Sequence, residues 1–292
     1  MLLFTIIVCR KTAGKMVETK KNIREALDNI SFIPTLPTVI SQLTSLLQNP
    51  KTSAEEIGKA ITTDQALASK VLKLVNSAFY GFPGKISTIT HAIVILGFST
   101  IKNVVLTATI FDAFKRKSDL SIPFDIEQFW LHSVACGSAA QSIAKYIGFK
   151  EKEACFIAGL IHDLGKIIPY QYLPLAFIEA FLDAEKNKQL FFESETQLFD
   201  ITHQEIGAHL AEKWNLPLLL QNAIKHHHNP QPNDSYYTST AIVHCADILV
   251  RALDIGDGGD KKIPCVSEHA WKFLGLDKLS LHSLFDAISE DI

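Results

Sequence analysis

From Val17 onward the apolar residues recur at intervals of three and four, and no stretch of sustained alternation competes with that period. A chain patterned this way must bury one stripe of each helix against another, so an all-α protein is expected. At 292 residues it is long for a single domain, and two helical lobes with filled cores fit it best. In the first lobe, Ile23, Ala26, Leu27 and Ile30 form a short face that ends before Pro34. Pro37 suits the first turn of a helix carrying Val39, Ile40, Leu43, Leu46 and Leu47. Ser53 and Glu56 make a capping box, which starts a helix at Ala54. Asp64 caps the next helix, which carries Leu67, Val71, Leu72 and Val75 and runs into Asn76-Ser77-Ala78-Phe79-Tyr80-Gly81. That segment is a loop by its turn residues, and either plugs a groove or recognises a ligand. Helical spacing resumes at His91, breaks at Gly97 and returns over 99–114. The charged, serine-bearing stretch 115–123 ends in proline and reads as a linker. The division is then an N-terminal extension 1–16, a first lobe 17–118 and a second lobe 119–292.

In the second lobe, helices are expected over 125–147, 152–164, 175–187, 203–214, 238–253, 267–274 and 279–288. Thr202 caps the fourth of these. Another helix opens at Pro217, runs into His226-His227-His228 and stops at Asn229-Pro230. The stretch 191–199 is ambiguous.

A net charge of −3 gives no electrostatic reason to expect nucleic acid, and Lys115-Arg116-Lys117 reads as a solvated end. The five cysteines, at 9, 136, 155, 245 and 265, include no close pair, which indicates reduced thiols, a cytoplasmic setting and no cysteine-based zinc site. Leu2 to Val8 is far shorter than the roughly 20 apolar residues that span a bilayer, so no membrane segment is expected and Met16 is an alternative start.

Within the apolar run Ala-Gly-Leu-Ile-His-Asp-Leu-Gly-Lys, His162 and Asp163 stand side by side. His132 lies upstream; His203, His227, His228 and Asp247 lie downstream, each in or beside a helical segment. Imidazole nitrogen and carboxylate oxygen suit divalent iron, manganese, zinc, cobalt or magnesium. Two ions sharing the Asp163 carboxylate would polarise a phosphoryl oxygen and generate hydroxide. Lys166, four residues after His162, points to the same side if the turn continues and can hold a phosphate as a point charge. His227 and His228 reach one site only if a helix end reorients one of them, since neighbours on a helix point about 100° apart. His91, His209, His244, His269 and His282 read as core or surface histidines, and His226 as the outer member of its triplet.

The order of these seven residues resembles the metal site of the HD phosphohydrolase superfamily. The words Leu36-Pro37-Thr38, the Asp64 helix, Asn76-Ser77 and the segment from Ala92 to Leu96-Gly97 are similar to the N-terminal lobe of the HDOD family, the HD-related output domains of bacterial signalling proteins. The resemblance implies an HD-type helical bundle in the C-terminal lobe, with His132, His162, Asp163 and Asp247 as core ligands. His203, His227 and His228 match the further ligands of binuclear relatives, and Lys166 the lysine of their His-Asp-x-Gly-Lys motif. Asp163 and Lys166 are thus the catalytic candidates, and iron or manganese the foremost metals. Cytoplasmic signal transduction with a regulatory protein partner is the first function implied. The alternative is a metal-dependent phosphohydrolase acting on a nucleotide or cyclic dinucleotide; a di-iron oxygen-using enzyme is a third. Gln65 replaces the family's usual proline, Gln128 stands where trinuclear relatives have glutamate, and no Gly-Tyr-Pro follows Pro230. The last departure argues against cyclic di-GMP hydrolysis.

Overall fold

The computed structural model describes residues 86–113, 124–214 and 216–277, with isolated positions between 53 and 76 and between 281 and 285. Among the described residues regular structure is helical throughout, as the periodicity requires. Ten helices follow in order: α1 (Ile89–Ala113), α2 (Ile126–Tyr146), α3 (Lys152–Ile161), α4 (Leu164–Tyr172), α5 (Pro174–Asn187), α6 (Phe191–Phe199), α7 (His203–Lys213), α8 (Leu218–His226), α9 (Tyr237–Ala252) and α10 (Glu268–Phe273). No described helix is long and apolar enough to cross a membrane.

The helix ends follow local chemistry. Asp125 Oδ1 accepts from the amides of Glu127 and Gln128 and starts α2. The Glu205 carboxylate accepts from the Thr202 amide and begins α7. Ser53 and Glu56 exchange capping-box bonds, and Gly97 (φ 79°) breaks α1 where the helical spacing lapses. Both ends of the Asn76 side chain bond the backbone of Ile86. The loop residues 77–85 lie outside the described residues, as do the linker 115–123, Asp64 and all residues before Ser53.

Two differences from the expected pattern matter for the site. The segment containing His162 is not one helix running to Gly165: α3 ends at Ile161, and α4 starts at Leu164 with Asp163 as its N-cap residue. The ambiguous stretch after Leu190 is helical, because Glu193 accepts from the Leu190 amide and Phe191 is buried against Phe177.

Among the described residues, apolar burial forms two clusters. A small one gathers Ile61, Val71, Val75, Ile86, Ile89, Ile93, Ile101 and Val104. The large one extends from Phe124 to Leu284 and draws on every helix from α2 to α10. Inside it α2 packs on α3 and α9, α4 on α7, and α8 on α7 and α9. This packing brings His- and Asp-bearing positions of α2, α7 and α9, of the α3–α4 junction and of the end of α8 together.

Candidate metal centre

Each candidate ligand occupies a position where one helix meets another. His132 sits mid-way along α2, His162 and Asp163 at the α3–α4 junction, and His203 at the first position of α7. His227 and His228 follow the last residue of α8, His227 still with helical backbone angles, and Asp247 lies within α9. Two glycines permit the approach. A β-carbon on Gly159 would lie 2.5 Å from the Cys136 carbonyl of α2, and one on Gly165 would lie 1.8 Å from the His203 carbonyl of α7. Backbone therefore meets backbone on both sides of the His162-Asp163 pair.

All seven residues come together, in two groups of possible ligand atoms. His132, Cys136, His162 and Asp247 form the first; Asp163, His203, His227 and His228 form the second. In the first, Asp247 Oδ1 is 3.2 Å from His132 Nε2 and 3.8 Å from His162 Nε2. In the second, Asp163 Oδ1 is 3.2 Å from His203 Nε2 and 3.5 Å from His227 Nε2, while His228 Nε2 is 3.2 Å from His203 Nε2. The other oxygen of the same carboxylate, Asp163 Oδ2, faces His162 Nε2 at 3.4 Å. Asp163 thus spans both groups.

The tautomers follow from the acceptors. His162 Nδ1 donates to the Gly159 carbonyl at 2.7 Å and His227 Nδ1 to the Ile224 carbonyl at 2.8 Å. A carbonyl can only accept, so neutral rings there present bare Nε2 lone pairs to the centre. His203 Nδ1 lies 2.6 Å from Glu195 Oε2, which also accepts the His203 amide at 3.0 Å. That carboxylate–histidine arrangement fixes the ring so that Nε2 faces the centre. His162 Nε2, His227 Nε2 and Asp163 Oδ1 are buried and have no hydrogen-bond partner. Each of the two groups thus contains acceptors left unpaired in a dry interior, which is costly until a cation stands among them.

The electrostatics agree. Burial lowers His227 to about 4 and also lowers His132 and His228, which favours the neutral, ligating form. Burial works against ionisation of Asp163 and Asp247, yet both carboxyls stay well below their ordinary range: His162 and Lys166 outweigh it at Asp163, and Arg251 and His132 at Asp247. Burial also opposes charge on His203, but Glu195 raises it. A second proton on His203 can therefore occupy the place facing Asp163 that an ion would take.

Lys166 is also at the centre, fully buried, with its ammonium donating to Asp163 Oδ2 and the Gly258 carbonyl at 2.7 Å each. The first bond ties it to the carboxylate that spans both groups, and the second holds it in place. Four further residues contribute that the sequence reading left aside. Cys136 and Arg251 stand four residues after His132 and Asp247, a spacing that puts them on the same helix faces. Glu195 backs His203, and His244 donates to the His227 carbonyl at 2.7 Å while its Nε2 accepts the Ser267 amide. Neither of these last two carried a spacing signal.

The HDOD domain matches residues 33–230 of the chain. An uncharacterized protein of Treponema pallidum is 30% identical over 250 residues, which are 85% of this chain and 47% of that protein; the chain therefore spans about half the length of this curated relative. Among solved structures, an HDOD domain protein of unknown function from Geobacter sulfurreducens superposes with a TM-score of 0.78 at 27% identity, covering 94% of this chain and 96% of the other. A candidate signal transduction protein from Marinobacter aquaeolei gives 0.75 at 19% identity, covering 94% and 64%, and shares the fold. With that match over most of its length, and with the helical architecture the resemblance implied, this chain belongs to the HDOD domain family.

Proposed function

We propose that this protein is a cytoplasmic bacterial signal-transduction protein whose C-terminal lobe holds two divalent ions, bridged by Asp163, and that it acts through a regulatory protein partner. The carrying observation is that each donor group holds a buried, unpartnered acceptor: His162 Nε2 in the first, His227 Nε2 and Asp163 Oδ1 in the second. His132, His162 and Asp247 would hold one ion and His203, His227 and His228 the other, with iron or manganese foremost among the metals such donors accept. Lys166 restrains Asp163 and offsets its charge, so the bridging carboxylate keeps one orientation with or without an ion.

A second reading, a metal-dependent phosphohydrolase acting on a nucleotide or cyclic dinucleotide, has one specific observation in its favour. Arg251 Nε donates to Asp247 and Nη1 to Asp260, but buried Nη2 has no partner. A β-carbon placed on Gly258 would lie 2.9 Å from that nitrogen and 3.2 Å from His132 Nε2, so the free N–H flanks the His132–Asp247 edge. A guanidinium there suits a phosphoryl oxygen. Bound ions would supply Lewis acidity and hydroxide at neutral pH. Asp163 would then be the shared carboxylate, and Arg251 would orient the anion.

The two readings separate in one assay. The full chain, loaded with Mn(II) or Fe(II), is offered a simple phosphodiester and cyclic dinucleotides beside the Asp163→Ala variant. Ion uptake with no turnover above the variant supports the regulatory reading; turnover lost in the variant establishes the hydrolase instead. Failure of the wild type to take up either ion refutes the metal centre and both readings of it.

A further inference from the structure

Between α9 and α10 the chain from Gly256 to Lys262 reads Gly-Asp-Gly-Gly-Asp-Lys-Lys, with no apolar side chain. Gly256 (φ 69°) and Gly259 (φ 101°) take left-handed angles that glycine adopts without strain. Such a segment has nothing apolar to bury, yet Gly258 and Gly259 are buried, and Gly258 lies against His132 and Arg251. Polar bonds hold it there. The Gly258 carbonyl accepts from Lys166 Nζ at 2.7 Å, and the Asp257 amide donates to the Gln128 carbonyl at 3.0 Å. The Asp260 carboxylate accepts from Arg251 Nη1 at 3.0 Å and from the Phe191 amide at 3.1 Å. The segment thus gives an oxygen to each of two buried cations, the ones paired with Asp163 and Asp247. Asp257, Gly259 and Asp260 also line a cavity of about 360 Å³, bounded on α5 by Phe181 and Ala184, so the segment has room to move.

We propose that residues 256–260 form an autoinhibitory strap, which occupies Lys166 and Arg251 with its own oxygens and yields to a phosphate-class dianion. The inference rests on the metal-centre reading above, and it holds whether the anion is hydrolysed or only sensed. His132, His162 and Asp247 are each at most 2% exposed, so an anion reaches them only after a covering segment moves. The strap is suited to move because it has no apolar anchor: its release breaks hydrogen bonds that water and the incoming anion remake. A tetrahedral dianion can replace the Gly258 carbonyl at Lys166 and take the unpartnered Nη2 of Arg251. Asp260 sets the threshold, since its carboxylate must leave Arg251 as the strap departs. The apparent affinity for the anion is then lowered by the fraction of molecules in which the strap is closed.

Calorimetry and amide hydrogen exchange on the full chain loaded with Mn(II) test this, with inorganic phosphate as the probe. A ligand that docks on the closed strap protects its backbone, whereas displacement does the opposite. Phosphate should therefore speed exchange of the Asp257 amide, which the closed strap bonds to Gln128. Asp260→Asn should tighten phosphate binding about tenfold or more by raising the open fraction. Asp257→Asn removes a charge from the same strap, but that carboxylate accepts the Gly259 amide and holds no cation, so this variant should bind phosphate as the wild type does. Should Asp260→Asn not fold, exchange in the wild type decides alone. Phosphate bound with the strap protected or unchanged, equal tightening in both variants, or no phosphate bound by wild type and Asp260→Asn alike overturns the strap and leaves the metal centre standing. Failure to take up Mn(II) overturns both.

Discussion

Gly165→Ala tests whether the α4–α7 contact sets the metal geometry. The new methyl group would lie 1.8 Å from the His203 carbonyl oxygen and 2.7 Å from the Gly207 amide, and neither is a side chain that can swing aside. To bring the first contact to the 3.0 Å below which real β-carbons are essentially never found, the helices must separate by at least about 1.2 Å. Asp163 and His203 ride on opposite sides of that contact, 3.2 Å apart at their facing atoms. Taken along that vector, the shift leaves them about 4.4 Å apart, whereas two ligands about 2.1 Å from one ion cannot exceed about 4.2 Å. Overpacking of this kind costs about 1–3 kcal/mol, while alanine in a helix interior returns at most about 1 kcal/mol. The variant should therefore lose stability in a urea titration and retain only the ion held by His132, His162 and Asp247. Unchanged stability together with an unchanged ion count would refute the argument.

Glu195→Gln removes the carboxylate behind His203; it should weaken the second ion about 10–100-fold in a metal titration and leave the first unchanged. Lys166→Met leaves Asp163 and the Gly258 carbonyl without their buried cation. Breaking such a pair costs about 3–5 kcal/mol in the ion-free protein, and urea unfolding with and without Mn(II) should show a smaller deficit when ions are bound. The ion-free protein should also lose stability as pH falls from about 6.5 to 4. Burial first, then His162 and His203, depress His227 to about 4, so in that window the unfolded chain binds more protons than the folded one. The depression alone corresponds to about 3 kcal/mol, and His132 and His228 act in the same direction. His203 is raised and has the opposite sign: its contribution is complete below pH 6.5 and is lost as pH rises beyond it. Denaturation midpoints at several pH values with chelator present would check the slope; a flat profile between pH 4 and 6.5 would contradict it.

Much of the fold was legible because capping residues and apolar stripes coincide. Asp125, Thr202, Pro217 and Ser267 each precede a helix where the sequence put one. The α3–α4 break was not legible, because Ile161, Leu164 and Ile167 stay apolar across it, so the period continues while the axis turns. The helix α6 was obscured for the opposite reason. Ser194 and Glu195 are buried in it, so polar residues occupy the inward stripe, and Glu195 is there to hold His203. At the site, the ordered set of histidines and aspartates was readable from residue type and family resemblance. Cys136 and Arg251 were legible only as i+4 neighbours of His132 and Asp247, and His244 not at all, since a single histidine on a helix carries no pattern of its own until the neighbouring helix is in place.

The most direct test of the central claim is metal content, by elemental analysis of the full chain purified without chelator beside its Asp163→Ala variant. The geometry predicts about two divalent ions per chain in the wild type and at most one in the variant, because one carboxylate faces both groups of ligands. A wild-type protein that holds no ion and takes none up on titration, or a variant that keeps both, would contradict it.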